Sequence, residues 1–110
     1  MDYTTERKNG FVIIRITENL GLHSDISELK SIVSKILGGG EKRIALSFTL
    51  QSYLYTQSLS VLVQCLDMVN EKNGEFAAIK PNEDIYDALK AIGITAIVKV
   101  YPDEDALGGE

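Results

Sequence analysis

The chain has 110 residues, 45% hydrophobic and 25% charged, which suits a single ordinary globular domain over 1–110 and excludes a disordered or low-complexity chain. Against 16 Asp and Glu stand 11 Lys and Arg, and the net charge of −5 opposes a phosphate backbone and offers no basic arm for nucleic acid. One cysteine closes no internal disulfide, no charged-then-apolar leader opens the chain and no apolar run reaches the length of a membrane span, so the expected compartment is the cytoplasm.

Residues 2–8 alternate weakly, and Asn9-Gly10 precedes the β-branched run 11–17, which predicts a β-hairpin. Ser24 or Asp25, with Glu28 behind it, forms an N-cap pattern ahead of Ile26, Leu29, Val33, Ile36 and Leu37, an amphipathic helix that Gly38-Gly39-Gly40 ends. Ile44, Ala45, Leu46 and Phe48 read as a short buried strand. A polar loop follows, and then Leu59, Leu62, Val63, Leu66 and Val69 recur near the helical period and mark a core face. Residues 71–74 form a turn before an apolar strand over 75–80 that Pro81 closes. Asn82 can cap the next helix, whose face carries Ile85, Ala88, Leu89 and Ile92 before Gly93 stops it. A last strand over 97–101 leads through Pro102 into a short acidic helix, with Gly108-Gly109 fraying. The order β-β-α-β-α-β-α-β-α predicts an α/β fold: a mixed, mostly parallel sheet with helices packed on it and an antiparallel edge from the opening hairpin.

The strand-to-helix loop is the focus of the chain, because it delivers Tyr55, Thr56, Gln57 and Ser58 to a helix N-terminus, where free N–H groups favour an oxygen or a phosphate. Thr56 or Ser58 can serve simply as the N-cap, or a hydroxyl there can accept a phosphoryl group. Counting 100° per residue from Leu59 turns Val61 and Met68 away from the core, with Gln57 and Cys65 beside them, as an outward stripe fit to dock a partner. Alternation about Leu54 sends Tyr53 and Tyr55 to the opposite side, to stack on a partner or to roof the core.

Other chemistry finds little footing. The triple glycine near Lys42 follows a helix and precedes a strand, the reverse of a phosphate loop. His23 has no second ligand at metal spacing, and Ser24, His23 and Asp25 are neighbours that point in different directions rather than a triad. No cofactor and no metal site is expected. Cys65 reads as a small, semi-apolar residue, and Asp103, Glu104 and Asp105 as carboxylates favoured in a first helical turn. The expectation is a protein that is not an enzyme.

Two stretches resemble the STAS domain, the fold of bacterial anti-sigma factor antagonists and of the cytoplasmic tails of sulfate transporters. One is the strand, loop and helix over 44–63. The other is Asp87-Ala88-Leu89-Lys90-Ala91-Ile92-Gly93-Ile94 running into Val100-Tyr101-Pro102-Asp103-Glu104-Asp105-Ala106-Leu107. The family's loop usually reads Asp-Ser-Ser-Gly or Asp-Ser-Thr-Gly, with the first serine phosphorylated by a kinase that is itself the anti-sigma factor. The resemblance therefore puts Thr56 at the phosphoacceptor position, with Tyr55 in place of the aspartate and Ser58 in place of the glycine; Gly21 stands near another aspartate of the family, with Asp25 close by. It implies a regulatory protein-binding module facing a kinase-type anti-sigma factor through Tyr53, Tyr55, Gln57, Ser58, Val61 and Met68. The alternative it offers is a STAS subunit of a membrane transporter assembly. Without the aspartate, and with an aromatic ring narrowing access, phosphorylation is expected to be slow or absent and binding constitutive.

Overall fold

Asn9 and Gly10 take φ values of 54° and 84°, the left-handed pair of a type I′ turn, and join β1 (Tyr3–Lys8) to β2 (Phe11–Ile16) as the Asn-Gly signal predicts. The computed structural model describes residues 1–79 and 82–107; the expected strand end at Lys80 and Pro81 and the fraying at Gly108-Gly109 lie outside the described residues. After the hairpin come α1 (Glu28–Gly38), β3 (Arg43–Ser47), α2 (Thr56–Glu71), β4 (Glu75–Ile79), α3 (Glu83–Ala91) and β5 (Lys99–Tyr101), with 3-10 turns at Ile94–Ala96 and Glu104–Ala106.

The strands lie in the order β1-β2-β3-β4-β5, antiparallel in the first pair and parallel in the rest. Ile14, Ile16, Ile44, Leu46, Phe76 and Ala78 point to one face, where Leu29 and Val33 of α1, Leu62 and Leu66 of α2 and Ile85 and Leu89 of α3 cover them. Phe11, Ile13, Ala45, Ala77 and Ile79 point to the other, closed by Leu107 and flanked by Tyr101. Burial on both faces explains why the strands read as continuous apolar runs rather than alternating ones. Gly74 is required where α2 turns into β4, because any side chain there would collide with the Lys42 carbonyl and with Val69.

The closing segment differs from expectation. Ile94–Ala96 is a 3-10 turn, so the last strand begins at Lys99 rather than Ile97, and Ile97 is left 64% exposed. The acidic helix shrinks to a single 3-10 turn, Glu104–Ala106, capped by Asp103 Oδ1, which accepts from Ala106 N at 3.0 Å. Its carboxylates do more than favour a dipole. Glu104 accepts two bonds of 2.7 Å from Arg15 Nε and Nη2, Glu6 also pairs with Arg15 at 2.6 Å, and Lys8 Nζ lies 3.3 Å from Asp105, so the turn is tied to the hairpin.

At α1 the residue preceding the helix is Ser27, not Ser24 or Asp25. Those two shape the approach instead: Ser24 Oγ accepts from Gly21 N at 2.8 Å and Asp25 Oδ1 from Ser27 N at 2.9 Å, a bond that also holds the Asp25 carboxyl below its usual range. Asn82 caps α3 as expected, accepting from Ile85 N at 2.8 Å, but Ile92 lies past the helix end and is 43% exposed rather than buried.

Candidate functional site

The loop between β3 and α2 is held by a directional chain of hydrogen bonds. Leu20 N donates to the buried Ser52 Oγ at 2.9 Å, Ser52 and Thr49 hydroxyls lie 2.7 Å apart, and Thr49 Oγ1 donates to Asn19 Oδ1 at 2.6 Å. Thr49 has one proton and gives it to Asn19, so Ser52 is the donor to Thr49 and the relay runs one way. Asn19 Nδ2 continues it to Gln51 Oε1 at 3.2 Å. From the other side Asn82 Nδ2 donates to the carbonyls of Leu50 and Ser52 at 2.8 and 3.1 Å, and Tyr53 N reaches Leu20 O at 3.0 Å. A surface loop with this many fixed partners presents its side chains in one arrangement.

What it presents is aromatic. Leu54 is buried, while Tyr53 and Tyr55 on either side are 39% and 40% exposed and meet edge to face, ring centroids 4.8 Å apart. The alternation expected about Leu54 is present, and neither ring is buried as a roof over the core.

The helix start differs from both cap expectations. Tyr55 is the N-cap residue, with extended backbone and no side chain bonded to the first turn; Thr56 is the first helical residue and exposed, and Ser58 is buried. Among the described residues, the cap position supplies no side-chain acceptor to the N–H groups of that first turn.

The inward stripe of α2 is Ser58, Val61, Leu62, Cys65, Leu66 and Val69. Val61 is 8% exposed, so its expected outward position is corrected, and with it that of Cys65, which is fully buried. Met68 is half-buried against the core, about 18 Å along the helix from Thr56, and does not join the loop residues. The physical reason is phase. Ser58, Val61, Leu62, Cys65, Leu66 and Val69 form an unbroken i, i+3, i+4, i+7, i+8, i+11 stripe, and burying it leaves Val63 36% exposed and Leu59 half-buried. Burial pushes the Cys65 thiol up to about 12, so it stays protonated and inert near neutral pH.

The rotation creates a surface not foreseen from the sequence. Thr56, Leu59, Ser60, Val63, Gln64 and Ile92 line a shallow groove of about 430 Å³. Gln57 faces a second cleft of about 280 Å³, shared with Ser24, Asp25, Ser27, Ser60 and Gln64, with the edge of Val61 at its wall. Thus Tyr53, Tyr55, Thr56 and Gln57 follow one another at the N-terminal end of α2 and Val63 and Ile92 share the groove with Thr56, whereas Ser58 is buried, Met68 lies farther along the helix and Val61 reaches the second cleft only by its edge. The spacing i, i+3, i+4, i+7 of Ser58, Val61, Leu62 and Cys65 is the sequence signal that would have favoured this rotation, once a serine and a cysteine are admitted to the inward stripe. His23 is exposed, and among the described residues no cluster of three His, Cys, Asp or Glu side chains could hold a metal ion.

This architecture has relatives. The chain belongs to the STAS domain family, whose model matches residues 2–107. Its structure is similar to that of a candidate anti-sigma factor antagonist from Thermotoga maritima, at 22% identity and a TM-score of 0.73, with 94% of this chain and 88% of that one covered. The NMR structure of that protein gives the same TM-score of 0.73 at 21% identity, covering 99% of this chain and 88% of that one. The phosphorylated form of SpoIIAA, a Bacillus cell fate determinant, is similar at 12% identity and a TM-score of 0.65, with 96% of each chain covered. At these identities the likeness is one of fold. No curated protein matches the sequence. Among the described residues no helix is long and apolar enough to cross a membrane.

Proposed function

We propose that this protein is a regulatory docking module that binds a kinase-type anti-sigma factor through the loop over 49–55 and the outward side of α2, and that it works in the cytoplasm without a cofactor. The observation that carries the reading is the exposed pair Tyr53 and Tyr55, on a loop fixed by Ser52, Thr49, Asn19 and Asn82, leading directly into the groove that Thr56, Val63 and Ile92 line. Rigid aromatic anchors lose little conformational freedom on docking, and a pre-arranged loop avoids an ordering cost. Gln57 and Ser60 supply a polar rim. Ser58 and Val61 support this surface from within, and Met68, toward the other end of α2, takes no part in it.

Thr56 is the phosphoacceptor candidate. Its hydroxyl is exposed at a first turn without a side-chain cap, where a phosphate of about −2 charge would meet open N–H groups, and it lies within the groove that a partner would fill. Phosphorylation would then work by blocking contact. Beside it stands Tyr55, its ring set against Tyr53, in place of a carboxylate that could orient the hydroxyl, which favours constitutive binding over a fast switch.

The test is amide chemical-shift mapping of the isotopically labelled protein titrated with a histidine-kinase-like anti-sigma factor from the same organism. The reading expects the largest shifts at Tyr53, Tyr55, Thr56, Gln57, Ser60 and Val63. Shifts confined to β1 and α1 would refute it.

A further inference from the structure

The sheet has two edges, and they differ. β5 offers only three residues, whereas β1 runs for six, pairs with β2 in an unbroken register from Tyr3 to Lys8, and is exposed from Tyr3 to Arg7. It carries no proline and no bulge, two of the devices that keep an edge from pairing; its charges, Glu6, Arg7 and Lys8, are of both signs and so discriminate between registers rather than repel every copy. Thr17 N donates to Asp2 O at 2.9 Å, and this fixes the parity of the ladder: Asp2, Thr4, Glu6 and Lys8 bond inward to β2. The N–H and C=O groups of Tyr3, Thr5 and Arg7 therefore point outward along the open edge.

We propose that this edge pairs with the same edge of a second copy of the chain, antiparallel and centred on Thr5, so that two sheets join into one. Because only Tyr3, Thr5 and Arg7 offer outward backbone groups, few registers allow bonding, and charge selects among them. With Thr5 opposite Thr5 of the second copy, Tyr3 faces Arg7, Thr4 faces Glu6 and Asp2 faces Lys8, each contact occurring twice about the two-fold axis. Three bonded pairs give about six backbone hydrogen bonds. The side-chain pairs are a cation over an aromatic ring, a hydroxyl beside a carboxylate and an ion pair. Sliding two residues one way sets Glu6 against Glu6, and two residues the other way leaves only 3–5 overlapping.

The side chains on the edge are placed for this. Tyr3 is 38% exposed, and the Arg7 side chain is 76% exposed while one of its nitrogens pairs with Glu41 at 2.6 Å. On the helix side Thr5 lines two adjoining grooves against Lys35 and Ile36 of α1, which leaves room beside the edge for the second strand's side chains. The groove around Val63 borders Ile92, beyond the helix that leads to β5, so pairing through β1 leaves it uncovered. The dimer would display two docking sites, and it stands whether or not the docking partner is the one proposed above.

Sedimentation velocity over a concentration series tests it. The wild-type protein is expected to shift from monomer to twice the monomer mass with a dissociation constant on the order of 10–100 µM. Thr5→Lys sets two ammonium groups against each other at the two-fold axis, and Thr5→Pro removes only an outward N–H, a substitution that edge strands tolerate. Both should raise the dissociation constant at least about tenfold, with the melting temperature of the monomer unchanged. Under mild oxidation the Thr5→Cys variant should cross-link to itself, since Cα atoms of such a pair lie about 5.5 Å apart, within disulfide reach. A wild-type monomer at about 1 mM would overturn the proposal, as would a dimer that both Thr5→Lys and Thr5→Pro leave undiminished.

Discussion

Val61 and Val63 stand two residues apart on α2 and face opposite ways: Val61 is 8% exposed within the core, whereas Val63 is 36% exposed and borders the groove beside Thr56. The same substitution must therefore act differently at the two sites. Val61→Asp buries an unpaired carboxylate, at a cost of about 3 kcal/mol or more, and should unfold or severely destabilise the protein. Val63→Asp should change stability by no more than about 0.5 kcal/mol. Thermal melts followed by circular dichroism separate the two.

Ser52 closes the loop by accepting from Leu20 N and donating to Thr49. Ser52→Ala removes both bonds and leaves a buried N–H without its acceptor, so a loss of about 1–3 kcal/mol is expected. Hydrogen exchange at Leu20 and Tyr53 should quicken more than at the core strands.

Asn82 makes a helix cap and two loop bonds with one side chain. Asn82→Asp keeps the capping oxygen but loses both donors, whereas Asn82→Ala loses everything. Chemical denaturation should rank the variants wild type, Asp, Ala, with the Ala change costing about 1–2 kcal/mol.

The Arg15 guanidinium, with Lys8 behind it, holds the Glu104 carboxyl below its ordinary value of 4.5. A carboxyl with a depressed folded-state pKa contributes stability above its unfolded-state value, and that contribution fades as the pH falls through the folded-state value. Acid should therefore loosen the closing turn. Between about pH 5 and about pH 3, wild-type protein is expected to lose more stability than the Glu104→Gln variant, by up to about 1 kcal/mol. Denaturant midpoints at the two pH values check the difference.

If Thr56 is the phosphoacceptor proposed above, its neighbour predicts slow phosphorylation. Tyr55 presents a ring, 40% exposed and locked against Tyr53, in place of a carboxylate that could orient the hydroxyl. Incubation with an anti-sigma kinase and ATP should give little mass gain, and Tyr55→Asp should speed phosphate incorporation at least about tenfold. Rapid stoichiometric gain in the wild type, abolished by Thr56→Ala, would refute constitutive binding.

Much of this architecture is legible before any coordinates. Asn9-Gly10 carries its turn in two residues, Asn82 announces its helix, and alternation about Leu54 turns both tyrosines outward, because each signal is local. The failures share a different cause. The inward stripe of α2 includes Ser58 and Cys65, which a count of large apolar residues alone does not register. The loop's bonds to Asn19, Leu20 and Asn82 join residues about 30 positions apart, and the acidic turn at Glu104 finds Arg15 across the sheet. Long-range partners of this kind leave no periodic trace.

On the function proposed above, the groove on the outward side of α2, and not the stripe through Val61, receives the partner. Isothermal titration calorimetry with the kinase-type anti-sigma factor, comparing wild type with Val63→Asp, tests it most directly. Binding weakened at least about tenfold, with the melting temperature preserved, is the predicted result. Equal affinity for both proteins would contradict it.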